Sequence, residues 1–126
     1  MAATARCALK LALSPGQAGD APQGRALLKN LGGAPVAGCA LCMDRAYEGD
    51  ETRRLAEELG FVPVVPPHPN RVQPWEYNRV TYRRRNEVER LFRRLKGYRR
   101  VCTRYDKLDV LFLAFVHLAL IFDALR

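Results

Sequence analysis

The chain has 126 residues, a net charge of +8 and 48% hydrophobic residues. That length suits one domain or a large piece of one, and that apolar share excludes a disordered chain. The positive balance points to a polyanionic partner, nucleic acid or an anionic membrane surface, and it is local: residues 79–107 hold 12 basic and three acidic side chains, so this segment carries +9 and the rest of the chain −1.

In chain order, residues 7–13 read as a weak strand ended by Ser14-Pro15-Gly16. Asp20 is expected to cap a short helix over 21–31 that stops at Gly32-Gly33. Residues 36–43 read as a buried strand ending at Asp44. Asp50 is expected to cap a helix over 51–59, stopped by Gly60. A third strand, apolar and β-branched, covers 61–65, and Pro66-Pro67-His68-Pro69-Asn70 opens a loop that runs to about residue 77. A long helix follows over 78–98 and another over 107–125. Helices alternating with buried strands indicate an α/β layer with parallel crossovers, a thin sheet flanked by helices. In the loop, Trp75 and Tyr77 are expected to anchor the chain to the core rather than stack on an unpaired base.

Cys39 and Cys42 form a CxxC, a spacing that invites a zinc or redox reading. The pair lies in an apolar strand, where residues three apart point to opposite faces, and no second CxxC or nearby His completes a site. Buried, reduced cysteines in a cytosolic protein fit better. The apolar run over 110–122 holds 13 residues and includes His117; it is too short to span a bilayer and reads as a buried core helix, with His117 a satisfied core or boundary histidine. No signal-peptide pattern opens the chain, so a cytoplasmic, nucleoid-associated protein is expected.

The chemistry concentrates on the long helix. Tyr82, Arg85, Glu89 and Lys96 fall within about 60° of one another at 100° per residue, with Arg93 near the same stripe and Val88, Leu91, Phe92 and Leu95 forming the adjacent apolar face. A Glu among arginines is commonly part of a solvated face. Asp44 changes that balance, because carboxylates at strand ends of open α/β sheets face the ligand crevice. An Asp there and Glu89 on a later helix have the hard oxygens that Mg²⁺ takes alongside phosphate and water, and neighbouring cations would grip phosphates.

The pattern Tyr82-x2-Arg85-x3-Glu89-x6-Lys96 resembles the signature of DDE-type transposases of the insertion sequence four and five superfamily. Ser14-Pro15-Gly16-Gln17, Asp44-Arg45-Ala46-Tyr47, Pro66-Pro67-His68-Pro69-Asn70-Arg71 and Thr103-Arg104-Tyr105-Asp106-Lys107 resemble further family segments in the same order, so the likeness covers residues 7–122. The resemblance implies a ribonuclease H-like fold, incomplete here because its first strands are missing. It also implies an Asp-Asp-Glu triad binding Mg²⁺ (or Mn²⁺), cleavage of DNA at transposon ends, and strand transfer into target DNA. Asp44 would be the second catalytic acid and Glu89 the third, both metal ligands. Tyr82, Arg85, Arg93, Lys96 and Arg104 would contact DNA.

The chain also departs from that pattern. The first Asp of such a triad lies upstream of the segment beginning at Cys7, and Asp20, the only acid before Asp44, reads as a helix cap. The expectation is therefore the C-terminal part of a catalytic domain that binds DNA but is inactive alone and shares its metal with an upstream Asp. Either a truncated product or the second frame of a frameshifted gene fits, with an upstream-frame polypeptide and a homo-oligomer on DNA as expected partners. The alternative is a non-catalytic DNA-binding remnant that competes with the full enzyme; a ribonuclease H-like nuclease without joining activity is a third reading. A membrane-surface role gives way because the basic patch overlaps the signature helix.

Overall fold

In the computed structural model, which describes residues 1–32 and 37–126, the elements in chain order are β1 (Ala2–Thr4), β2 (Cys7–Ala8), α1 (Asp20–Lys29), β3 (Ala40–Cys42), α2 (Asp50–Glu58), β4 (Val62–Val64), α3 (Arg79–Tyr82), α4 (Asn86–Leu95), α5 (Arg99–Cys102) and α6 (Asp109–Leu125). Short 3₁₀ turns lie at Arg45–Tyr47 and Arg83–Arg85. The chain divides into two units, Ser14–Arg85 and Met1–Leu13 with Asn86–Arg126.

In the Ser14–Arg85 unit, β3 and β4 pair in parallel, with Ala40, Leu41 and Cys42 opposite Val62, Pro63 and Val64. Parallel neighbours need a crossover rather than a hairpin, and α2 supplies it. The helix ends as Gly60 predicts. Gly60 takes a positive φ of 87°, its N–H donates to the Glu57 carbonyl at 2.9 Å, and the Phe61 N–H reaches back to the Ala56 carbonyl at 3.0 Å. These two bonds are the Schellman arrangement, which only a residue at ease in the left-handed region completes without strain. They turn the chain directly into β4. Met43, Ala56 and Val65 form the buried centre, covered by Leu41, Tyr47, Phe61 and Trp75.

Trp75 anchors the proline-rich loop, as expected. Its indole N–H donates to the Val65 carbonyl at 2.9 Å, and its ring lies between two guanidiniums, Arg53 at 3.6 Å and Arg71 at 4.6 Å from the centroid. Arg71 also pairs with Glu48 at 3.5 Å and with Asp50, and Glu48 accepts from the His68 N–H at 2.9 Å. Tyr77 meets Tyr82 edge to face at 5.5 Å. Helix α1 docks on α2 through Arg25, whose guanidinium donates to the fully buried Thr52 hydroxyl at 3.2 Å and pairs with Glu51 at 3.3 Å.

In the other unit, β1 and β2 form an antiparallel hairpin. Glu87 holds its turn by accepting from the Ala5 N–H at 2.9 Å. Leu91 and Leu95 of α4 and Ala119 of α6 are buried together against Ala2, Ala8, Tyr98, Val101 and Leu120. Arg94 donates through Nε to both carboxylate oxygens of Asp123, at 2.8 and 3.1 Å. Asp123 is buried, and this hydrogen bond, foremost, holds the Arg94 guanidinium above its ordinary pKa. A buried carboxylate without such a partner would be costly.

Several expectations change. The strand over 7–13 shrinks to Cys7–Ala8 and pairs antiparallel with Ala2–Thr4. The described residues therefore form two separate two-stranded sheets and not one three-stranded parallel layer. Mixed helices and small sheets still give an α/β composition. Asp20 and Asp50 are the first residues of their helices, with Gly19 and Gly49 at the cap positions; there their charge suits the helix dipole. Gly33 and Val36 of the predicted stop and strand lie outside the described residues. The helix over 78–98 is divided into α3, a 3₁₀ turn and α4. Arg79 and Arg83 are like charges one helical turn apart, which weakens a continuous helix at that point. Phe92 leaves the apolar face and is 52% exposed. Helix α6 is not wholly buried: it buries Val116, Ala119 and Asp123 and exposes most of its other apolar side chains. His117 lies on its exposed side, with Nδ1 donating to the Leu113 carbonyl at 2.8 Å. Among the described residues no helix is long and apolar enough to cross a membrane.

Gly24 sits within α1 because the Tyr47 ring occupies the space of its side chain; a Cβ there would lie 2.9 Å from Tyr47 Cδ1. Gly24→Ala, favourable for an isolated helix, should therefore lower stability by about 1–3 kcal/mol through overpacking, measured as a lower denaturant midpoint. Gly32→Ala, with open space at its Cβ, is the control.

Candidate functional site

Asp44 follows Met43 at the carboxyl end of parallel strand β3, where sequence reasoning places it. It is exposed, and its Oδ1 accepts from the Ala46 N–H at 2.9 Å while its carbonyl accepts from the Tyr47 N–H at 3.0 Å. The first bond caps the 3₁₀ turn and sets the carboxylate's direction.

The same unit brings cations towards this strand. Asn78 caps α3 by accepting from Val80 and Thr81 N–H, both at 3.0 Å. Helix α3 packs on β3, and the Cys42 thiol donates to the Thr81 carbonyl at 3.3 Å. Burial raises the Cys42 pKa, and the positive charge of Arg84 partly opposes that rise. Cys42 thus anchors α3, while Cys39, expected to be buried, is exposed. Tyr82 ends α3, and Arg85 lies with its guanidinium 5.9 Å from the Tyr82 ring centroid.

Glu89, Arg93 and Lys96 belong to the other unit. All three are exposed, and spacings of four and three residues keep them on one side of α4 and its last turn. Arg104 is engaged within the chain: Nε donates to the Asp106 carbonyl at 3.0 Å, Nη2 to the Lys107 carbonyl at 3.4 Å and to Asp109, and the guanidinium lies 5.0 Å from the Phe112 centroid. It ties the segment before α6 to the first turn of that helix. The predicted single stripe is interrupted, since Tyr82 and Arg85 lie across a 3₁₀ turn, which advances about 120° per residue.

Two residues were not singled out by sequence reasoning. Tyr47 is raised above its ordinary pKa by burial first, and then by the negative charges of Asp20 and Asp44, so both carboxylates influence one phenol. A glycine inside a predicted helix was the available signal that a large ring needs room there. Arg84 acts on Cys42, two residues before Asp44; nothing in the run Arg83-Arg84-Arg85 distinguishes it by sequence. Among the described residues no group of three or more His, Cys, Asp or Glu side chains gathers where one metal ion could be held. Asp44 in one unit and Glu89 in the other are each exposed carboxylates.

The chain matches the family model described as the transposase DDE domain over residues 1–122. It is 33% identical over 112 residues to a protein of Brucella ovis named putative transposase for insertion sequence element IS6501, an alignment covering 88% of this chain and 83% of that protein. No solved structure matches.

The Tyr47 phenol sets a pH dependence. Its folded pKa exceeds the unfolded value of about 10. The stabilisation from its neutral form is therefore fully present below about pH 10 and is lost as pH rises through the folded value. Spectrophotometric titration should reveal a phenol ionising above the ordinary tyrosine value of about 10, absent in Tyr47→Phe. Asp44→Asn should lower that pKa without normalising it, because burial, the larger cause, remains.

Proposed function

The chain belongs to the transposase DDE-domain family, whose function is DNA transposition, and from that premise we propose that it presents two catalytic acids, Asp44 and Glu89, and the phosphate grip of a transposase. The fold is read as ribonuclease H-like, with β3, α2 and β4 as one of its parallel crossovers. The observation that carries this reading is the exposed Asp44 carboxylate, oriented by Ala46 at the carboxyl end of a parallel strand against which an arginine-bearing helix packs.

Family members usually use a divalent metal. Asp44 and Glu89 would hold Mg²⁺ or Mn²⁺, and the cation when bound supplies Lewis-acid polarisation of the scissile phosphate. The chain's own side chains do the rest. The Ala46 N–H orients one carboxylate. Tyr82, Arg85, Arg93 and Lys96 hold phosphates by charge and hydrogen bonding, which positions the strand and offsets negative charge during phosphoryl transfer. Arg104 joins them only by giving up its bonds to the segment before α6.

The expected outcome is Mg²⁺- or Mn²⁺-dependent nicking and strand transfer on a duplex carrying the element's end. Losing a metal ligand removes several kcal/mol of transition-state stabilisation, so Glu89→Gln or Asp44→Asn should lower the rate roughly a hundred- to a thousandfold. DNA affinity should change little. Arg93→Gln with Lys96→Gln should instead weaken DNA binding and reduce the slope of log K against log salt by about two phosphate contacts. If the wild-type chain gives no metal-dependent nicking or joining and Glu89→Ala leaves every measurable property intact, while Arg85 and Arg93 substitutions abolish DNA binding, the chain is a non-catalytic DNA-binding remnant.

A further inference from the structure

The junction of α5 and α6 combines two kinds of surface that the catalytic reading does not use. Tyr98 and Val101 pack against the core of Leu91, Leu95 and Ala119, and the two residues between them, Arg99 and Arg100, are left exposed. Where α5 packs on α6, a groove of about 380 Å³ opens. Val101, Phe115, Leu118 and Phe122 form its floor, and the two arginines complete its lining. That volume lies within the range of sites that hold a small ligand or a few side chains. The floor is accessible, since Leu118 is 48% exposed and Phe122 60%. The Arg100 guanidinium lies 4.3 Å from the Phe115 ring centroid, so an aromatic face, and not an acid, holds this cation beside the groove. Among the described residues neither Arg99 nor Arg100 forms an ion pair, because Asp109 is committed to Arg104 and Asp123 to Arg94.

We propose that this groove docks a short segment of a partner protein in which apolar side chains are flanked by Asp or Glu. The apolar side chains enter between Phe115, Leu118 and Phe122 and leave water, and the flanking carboxylates pair with Arg99 and Arg100 through charge-assisted hydrogen bonds. Charge complementarity selects this occupant. The groove supplies two cations without an anion of their own, and the +9 of residues 79–107, to which both belong, draws an acidic segment in from a distance. A second copy of the chain meeting this face would set Arg99 and Arg100 against the same pair, which like charges disfavour. A single DNA strand satisfies the arginines with phosphate, but a base entering the groove would bury ring nitrogens and amino groups against a floor of hydrocarbon side chains, which offer no hydrogen bonds. A bilayer is flat on this scale and does not follow a concave surface.

The test uses the full chain without DNA or metal, so its result is separate from the transposase reading. The probe is a fluorescein-labelled peptide, Glu-Asp-Leu-Phe-Asp-Leu-Glu-Asp, followed by fluorescence anisotropy at physiological salt. The expected dissociation constant is roughly 10–100 μM, at the weak end of protein contacts. Arg99→Glu with Arg100→Glu should raise it roughly tenfold or more by setting carboxylate against carboxylate. Phe122→Ser, at an exposed position of the floor, should raise it by roughly as much through lost apolar contact. Arg54→Glu, at an exposed cation of the other unit, should leave it unchanged, and circular dichroism verifies that each variant is folded. A peptide with Ser in place of Leu and Phe should bind about tenfold more weakly. The proposal is overturned if the wild-type chain shows no binding at about 1 mM, if the Ser peptide binds as tightly as the first, or if Arg54→Glu weakens binding as much as the paired substitution. It is equally overturned if Phe122→Ser spares the peptide and instead weakens binding to oligothymidine or to vesicles of phosphatidylserine and phosphatidylcholine.

Discussion

A parallel pair of three-residue strands has little cohesion of its own, yet the placement of Asp44 depends on the pairing of β3 with β4. What holds the pair is the cover around it. Helix α2 closes the crossover and ends at Gly60, so that Phe61 returns directly into β4. Met43 and Val65, one residue beyond each strand, meet Ala56 of that helix in the buried centre. Trp75 closes the other side, with its indole bonded to Val65 and Arg53 and Arg71 against its ring. Burying an aliphatic side chain of this kind contributes about 1.5–3 kcal/mol, more than any single exposed ion pair around it. The carboxylate at the strand end is thus positioned by apolar packing behind it, and the ion pairs of Arg71 set the loop rather than the strand.

The local parts of this arrangement were legible from sequence because local chemistry determines them. Gly60, the β-branched run around Val62 and Val64, the position of Asp44 and the anchoring by Trp75 all follow from residue type and spacing. The misreadings came from interactions distant in sequence or from patterns with two uses. Residues 9–13 continue the apolar alternation of a strand, but the pairing is antiparallel with Ala2 opposite Ala8, so Leu9 and Lys10 meet only Met1 and the ladder extends no further. The helix over 78–98 has a convincing period throughout, but helical period does not report the repulsion of Arg79 and Arg83. In α6 two apolar stripes overlap, and overlapping stripes read as burial on all sides.

For the candidate site the division is similar. Residue type and order single out Asp44 and Glu89 and the cations near them as candidates, and the structure has Asp44 exposed at the end of β3 and Glu89 exposed on α4. Sequence did not reveal that Arg104 is tied to Asp106, Lys107 and Asp109, or that Tyr47 lies under the influence of Asp20 and Asp44, because both depend on tertiary placement. The CxxC illustrates the converse. Its spacing is prominent in the sequence, but Cys42 serves as an anchor for α3, and Cys39 is exposed at the edge of the same strand.

The chain contains one tryptophan, and its indole is stacked between two guanidiniums and bonded to a core carbonyl. Intrinsic fluorescence excited at the indole band therefore reports on the Ser14–Arg85 unit alone. The unit built on Leu91, Leu95 and α6 contributes no such emission and must be followed by far-ultraviolet dichroism. Comparing the two signals during a single denaturant titration separates the cooperativity of one unit from that of the other without attaching any label.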